Sequence, residues 1–99
     1  MDIKNVTNLI VRGREFKIIY NNKYGKFLAI EDKYLDENGC LTKTLNGLQM
    51  HASETVEDCV KSVRMEVEAE YLVKEKGYDM LAAMEIIGFR CANGLGIHG

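Results

Sequence analysis

The chain has 99 residues, 46% of them hydrophobic and 28% charged, with a formal net charge of −2. That is the size and composition of one globular domain able to bury a core without metal or disulfide staples. The near-neutral balance selects no partner class by bulk charge, and the absence of proline excludes polyproline recognition. No basic, apolar N-terminal leader and no run of membrane-span length occurs, so a cytoplasmic protein without membrane contact is expected.

The first half carries strand signals. NLIV (8–11) is a short apolar run, and RGRE (12–15) is turn-like. FKIIY (16–20) is rich in β-branched and aromatic residues, and NNKYG (21–25) is a turn cluster of Asn and Gly. KFLAIED (26–32) is the returning strand, giving a hairpin or a three-stranded meander. LDENG (35–39) predicts another turn, with Gly39 left-handed. LTKTLNG (41–47) is left open, and LQMHA (48–52) is one more short strand. DENG is no calcium loop: aligning Gly39 as the sixth loop residue puts Tyr34 and Leu45 where oxygen ligands are required.

The second half is helical. Ser53 or Thr55 caps a helix through Lys76, with Glu54, Glu57 and Asp58 in its first turn and Gly77 beyond its end. Val56, Val60, Val63, Val67 and Tyr71 recur at helical spacing and predict the buried face. Glu57, Lys61, Arg64, Glu68 and Glu75 fall opposite, on the expected solvated face. Asp79 then caps MLAAMEIIG (80–88), which is apolar nearly all round and therefore expected to be buried, either in this chain or in a partner, and Gly88 ends it. The expected fold is α+β: a small antiparallel sheet of three or four strands, one long helix packed on it and a short second helix. A single domain over 1–93 and a flexible glycine-rich tail over 94–99 follow.

That tail, GLGIHG, matches the G-x-G-x-x-G dinucleotide fingerprint. The fingerprint works between a strand and a helix, where the helix N-terminus meets the pyrophosphate. Here no strand precedes it and no helix follows, so a frayed tail is the expectation.

Catalytic constellations are thin. Two histidines, His51 and His98, and three scattered cysteines, Cys40, Cys59 and Cys91, make no metal-ligand spacing. Cys59 fits a small core residue better than a nucleophile paired with His51. No catalytic residue, cofactor or metal is assigned, and the chain is not expected to be an enzyme.

Charge is polarised. Residues 1–34 carry seven basic and four acidic side chains, and residues 53–76 carry four basic and seven acidic. The basic residues Arg12, Arg14, Lys17, Lys23 and Lys26 interleave with Phe16, Tyr20, Tyr24 and Phe27. Bases stack on such rings and phosphates meet such cations.

From strand pair FKIIYNNKYGKFLAI to helix opening T-V-E-D-C-V (55–60), the chain resembles the HicB antitoxins over about residues 16–73. Tyr24-Gly25-Lys26-Phe27 stands at that family's first hairpin turn. The family's leucine-proline-glycine-cysteine element is replaced by NGLQMHA, and residues 77–99 do not hold a full helix-turn-helix. The resemblance implies a non-catalytic domain that neutralises an RNA-cleaving toxin by covering its surface.

The resulting expectation is a protein that inhibits a nucleic-acid-acting enzyme by contact, as an antitoxin or a phage anti-defence, anti-CRISPR-type inhibitor does. Two surfaces are candidates: the acidic helix through Glu57, Glu68 and Glu75, and the sheet around Tyr20, Lys23, Tyr24 and Lys26. The alternative is a small nucleic-acid-binding regulator using the basic sheet. A third is an accessory subunit stable only in an assembly. A homodimer through an uncovered sheet edge or the apolar second helix is consistent with any of these.

Overall fold

The computed structural model describes residues 3–22, 24–37 and 51–99. The expected turn at Gly39, the open segment 41–47, the start of the strand at 48–52, Lys23 and Cys40 lie outside them. The chain divides into two compact units, Met1–Ser62 and Val63–Gly99.

The first unit is a four-stranded antiparallel sheet in the order β1-β2-β3-β4. β1 is Ile3–Val11, β2 Arg14–Asn21, β3 Lys26–Glu31 and β4 His51–Ser53. The α+β class, the meander and the short fourth strand are as the sequence implies. β1 is longer than the apolar run NLIV because it is an edge strand: pairing to β2 holds its polar first half, whatever its side chains. Its register slips between Asn5 and Thr7, a bulge at Val6. Bulges twist an edge away from further pairing, which suits an edge strand.

The β1–β2 turn is tighter than the expected RGRE. Val11 pairs with Arg14, so only Arg12 and Gly13 form the loop. Both have positive φ, 47° and 78°. This is the two-residue hairpin turn whose twist matches the strands, and it favours Asn-Gly. Arginine carries a Cβ into a region that costs such residues about 1–2 kcal/mol. Arg12→Asn should therefore stabilise the fold by about 1 kcal/mol or less, read as a raised melting temperature. A lowered melting temperature would show that the Arg12 side chain contributes more than its backbone costs.

Both faces of the sheet are used. The register sets Ile18 opposite Ala29, and Ile19 opposite Leu28. Ile18, Ala29 and Phe16 are buried on one face. On the other face Ile19, Leu28 and Ile30 form a cluster against Tyr34 and Leu35. Tyr34 belongs to a single 3-10 turn at Asp32–Tyr34, closed by the Leu35 N–H donating to the Asp32 carbonyl at 2.9 Å. The chain thus folds its own C-terminal extension of β3 back over that side of the sheet.

The long helix α1, Val56–Lys76, starts in the first unit and continues into the second. Of the two expected caps, Thr55 acts: its Oγ1 accepts from the Asp58 N–H at 3.1 Å. Gly77 follows the last turn with φ 78°. Asp79 caps the second helix, α2, its carboxylate accepting from the Ala82 N–H at 2.7 Å. α2 runs Met80–Ala92, past the expected stop at Gly88. A single exposed glycine costs a helix about 1 kcal/mol, and here Phe89, Arg90, Cys91 and Ala92 continue it. The true end is Asn93 followed by Gly94 at φ 74°.

Within the second unit, Ala69 and Leu72 of α1 meet Ala83 and Ile87 of α2 in a buried cluster. Met65, Tyr71, Val73, Ile86 and Ile97 pack around the seam. Ile97 belongs to the tail expected to fray. That tail instead turns back, the Leu95 N–H donating to the Arg90 carbonyl at 2.8 Å and the Gly99 N–H to the Gly96 carbonyl at 3.2 Å.

Candidate functional site

On the sheet, Arg14, Lys17 and Lys26 each face a carboxylate. Arg14 donates to both carboxylate oxygens of Glu31, Nη2 to Oε1 at 2.7 Å and Nε to Oε2 at 3.1 Å. Its guanidinium also lies 5.4 Å from the centre of the Phe16 ring. Lys17 lies 4.0 Å from Asp32, and Lys26 is paired with Glu54. A phosphate would have to displace these carboxylates. The rings are engaged too: Phe16 is buried, and Tyr20 is half-buried with its ring 5.0 Å from that of Phe27 at a tilt of 57°. Tyr24 is exposed. Of the four sheet residues expected to contact a partner, Tyr20, Tyr24 and Lys26 are placed in this unit, and Lys23 lies outside the described residues.

On α1 the expected acidic surface loses its middle. Glu57 and Glu75 are exposed, but Glu68 has no exposed surface at all. This corrects the expected solvated, partner-facing role for Glu68. The reason is packing: α2 and the tail cover the side of α1 that helical periodicity assigns to water. The exposed charges left on α1 are Glu57, Asp58 and Glu75 against Lys61, Arg64, Lys74 and Lys76. That set is mixed in sign, so charge complementarity to a basic groove has little to act on.

Glu68 sits in a polar cluster. Its Oε2 accepts from Arg90 Nη1 at 2.8 Å, and its Oε1 lies 2.9 Å from His98 Nδ1. Arg90 Nη1 also donates to the Ile97 carbonyl at 3.1 Å. A carboxylate wholly removed from water needs its oxygens satisfied by cations or donors. Both are, by residues 22 and 30 positions away in sequence. The cluster pins the tail across the α1–α2 pair. Its Glu-to-imidazole contact resembles half of a catalytic relay, yet Glu68 is enclosed and both its oxygens are committed, so the arrangement is a structural clasp. No three His, Cys, Asp or Glu side chains converge on a metal-sized site among the described residues.

The thiols differ in the same physical way. Cys59 is buried, and burial pushes its pKa up from the ordinary value of 9.0. A thiol held neutral is a poor nucleophile, which argues against pairing it with a base. Cys91 is exposed. In a Cys40→Ser background, a maleimide should modify Cys91 promptly and Cys59 only after unfolding. The raised value also fixes a sign. The unfolded chain loses the Cys59 proton at lower pH than the folded chain, so this residue's share of stability is retained below pH 9.0 and lost above it. Against Cys59→Ala, the native chain should lose stability faster above that pH. Equal slopes would show that the thiol reaches water.

The feature left open by the fold is α2. The sequence implies burial in this chain or in a partner, and within this chain only Ala83 and Ile87 of the helix are buried. Leu81 is 72% exposed, Phe89 66% and Met80 50%. Met84 is exposed as well, and so are Gly88, Cys91 and Ala92. At 3.6 residues per turn Leu81, Gly88, Phe89 and Ala92 occupy the half of the helix turned away from the Ala83–Ile87 seam, Met84 lies at its edge, and Met80 and Cys91 continue the seam stripe at the two ends of the helix. Glu85 is the one charged residue in that half. Exposed Tyr78 precedes it and exposed Leu95 follows it. Isolated apolar side chains in water are ordinary, but a contiguous patch marks an interaction surface. The usable signal in the sequence was a thirteen-residue helix with charges only at Glu85 and Arg90.

No helix among the described residues is long and apolar enough to cross a membrane. No family model, no curated protein and no solved structure matches the chain.

Proposed function

We propose that this chain is a non-catalytic binding protein that works by contact with another protein, and that the exposed half of α2 is the contact surface. The observation that carries this is the exposure of Leu81 and Phe89 on the outward half of α2, with Met84 exposed at its edge and Met80 at the first turn. An apolar helix face docks into a hydrophobic groove through anchors spaced three, four and seven residues apart. Methionines adapt to the shape they meet, which suits Met80 and Met84 to this role.

The target class we propose is an enzyme acting on nucleic acid, a toxin or a defence nuclease, which the chain inhibits. This follows from the likeness to HicB antitoxins in the hairpin at Tyr24–Phe27 and in the helix opening at Thr55–Val60. The cytoplasm is the proposed compartment. Direct nucleic-acid binding by the sheet is the weaker reading, because Arg14, Lys17 and Lys26 already face Glu31, Asp32 and Glu54. A tagged pull-down from nuclease-treated bacterial lysate separates the two. Stoichiometric recovery of one protein, whose nucleic-acid-directed activity falls when the chain is added, supports inhibition by contact. Recovery of nucleic acid alone when the nuclease is omitted, with binding that weakens steeply in salt, would replace it with the sheet reading.

A further inference from the structure

Asn93 caps the C-terminus of α2, and Gly94 follows it. Asparagine is a thermolabile residue, and before glycine it loses its side-chain amide most readily, because no Cβ hinders the attacking nitrogen. The backbone nitrogen of Gly94 gives up its proton and attacks Cγ of Asn93, closing a five-membered imide. The Cγ–Nδ2 bond breaks, and the amide nitrogen takes up a proton and leaves as ammonia. Water then opens the ring at either carbonyl, leaving aspartate or isoaspartate. Nothing is oxidised or reduced: one water is taken up and one ammonia is lost. The same dipeptide at Asn38 and at Asn46 lies outside the described residues.

The site is open on its outer side. Both residues are exposed, and nothing lies within 4 Å of where a Cβ on Gly94 would stand. Base and water therefore reach it, and the restraint comes from the cap. Asn93 Nδ2 donates to the Phe89 carbonyl at 2.8 Å, and the Gly94 N–H donates to the Cys91 carbonyl at 3.2 Å. The Asn93 ψ is 12°, close to helical, and the Gly94 nitrogen reaches Cγ only when that angle swings away. Both bonds part in that swing, and so does the bond from the Leu95 N–H to the Arg90 carbonyl at 2.8 Å. Leu95 leads into the stretch held by the clasp. Ile97 packs at the seam, its carbonyl accepts from Arg90 Nη1 at 3.1 Å, and His98 Nδ1 lies 2.9 Å from Glu68 Oε1. A docked tail thus keeps the nucleophile from its carbonyl carbon.

We propose that Asn93–Gly94 is a deamidation site of the folded chain, and that the docking of residues 95–98 sets how fast it reacts. The product acts back on the tail. It lacks the Nδ2 donor that satisfied the Phe89 carbonyl, and it places a negative charge at a helix C-terminus, where the macrodipole disfavours one. Isoaspartate also lengthens the backbone by a methylene. The opening that admits the reaction is therefore made permanent by it, and the clasp is released irreversibly.

Peptide mapping of the full chain aged in mildly alkaline buffer tests this. Cleavage after Arg90 gives a peptide that begins at Cys91, and the amide-to-acid mass gain at Asn93 is followed with time. The folded chain should convert, more slowly than the same chain in urea. His98→Ala, shown to be folded by far-ultraviolet circular dichroism, should convert faster than the native chain by up to about five-fold, the factor set by the strength of an exposed ion pair. Ile18→Val, which weakens the core of the sheet instead, should convert at the native rate. Asn93→Asp should speed amide exchange over residues 95–98. A folded chain that keeps its amide while the chain in urea loses it overturns the site. Equal rates in the folded chain and in urea overturn control by the tail, as does a His98→Ala chain at the native rate or an Ile18→Val chain as fast as His98→Ala. Unchanged exchange in Asn93→Asp overturns the release.

Discussion

Arg90→Ala should destabilise the fold by about 3–5 kcal/mol, the usual cost of leaving one member of a buried ion pair alone. Glu68 has no exposed surface, so its carboxylate cannot recover water when the guanidinium is lost. His98 would remain on one oxygen, but its own side chain is 40% exposed and its contact is correspondingly screened. His98→Ala should therefore cost about 1 kcal/mol or less. Removing both charges at once is different. Glu68→Leu/Arg90→Leu should lie within about 1–2 kcal/mol of the native chain, because a buried pair and an apolar pair of similar volume are close in net stability. Urea unfolding followed by helical circular dichroism reads all three variants. A loss below 1 kcal/mol for Arg90→Ala would mean that water reaches Glu68 and that the clasp is a surface ion pair.

The second large effect concerns binding. Leu81→Asp/Phe89→Asp should leave stability within about 0.5 kcal/mol of the native value, because both side chains already face water. Target affinity should fall at least about 30-fold for each residue that acts as a buried anchor, the loss associated with an interface hot spot of about 2 kcal/mol. The contrast between unchanged folding and lost binding is the signature of a docking face. It is read by calorimetric titration of the captured target with each variant. Glu57→Gln/Glu75→Gln, on the mixed-charge surface of α1, should change affinity by a few-fold at most. Undiminished binding by the α2 variant, with loss on the glutamate substitutions, would return the contact to the acidic helix.

Local physics made much of the fold legible. The β2–β3 hairpin is specified by its own alternation and by a turn with Gly25 at positive φ. Thr55 and Asp79 act as the caps their chemistry suggests. What was not legible depends on contacts between distant residues. The first half of β1 is held by pairing rather than by pattern. Helical periodicity put Glu68 in water because it describes one helix alone, and α2 with the tail covers that side. Nothing near Glu68 in sequence announces Arg90 or His98. A glycine-rich tail looks unordered until Ile97 finds the seam and His98 finds a carboxylate. For α2 the apolar run was visible, but which half is covered depends on having a second surface to cover it. The seam at Ala83 and Ile87 accounts for one half.

The most direct test is amide hydrogen exchange on the chain alone and in complex with its captured target. The account predicts that added protection concentrates in residues 78–92, with the sheet strands unchanged. Protection confined to β1–β3 and the turn at Tyr24, with α2 exchanging as in the free chain, would contradict it and place the working surface on the sheet.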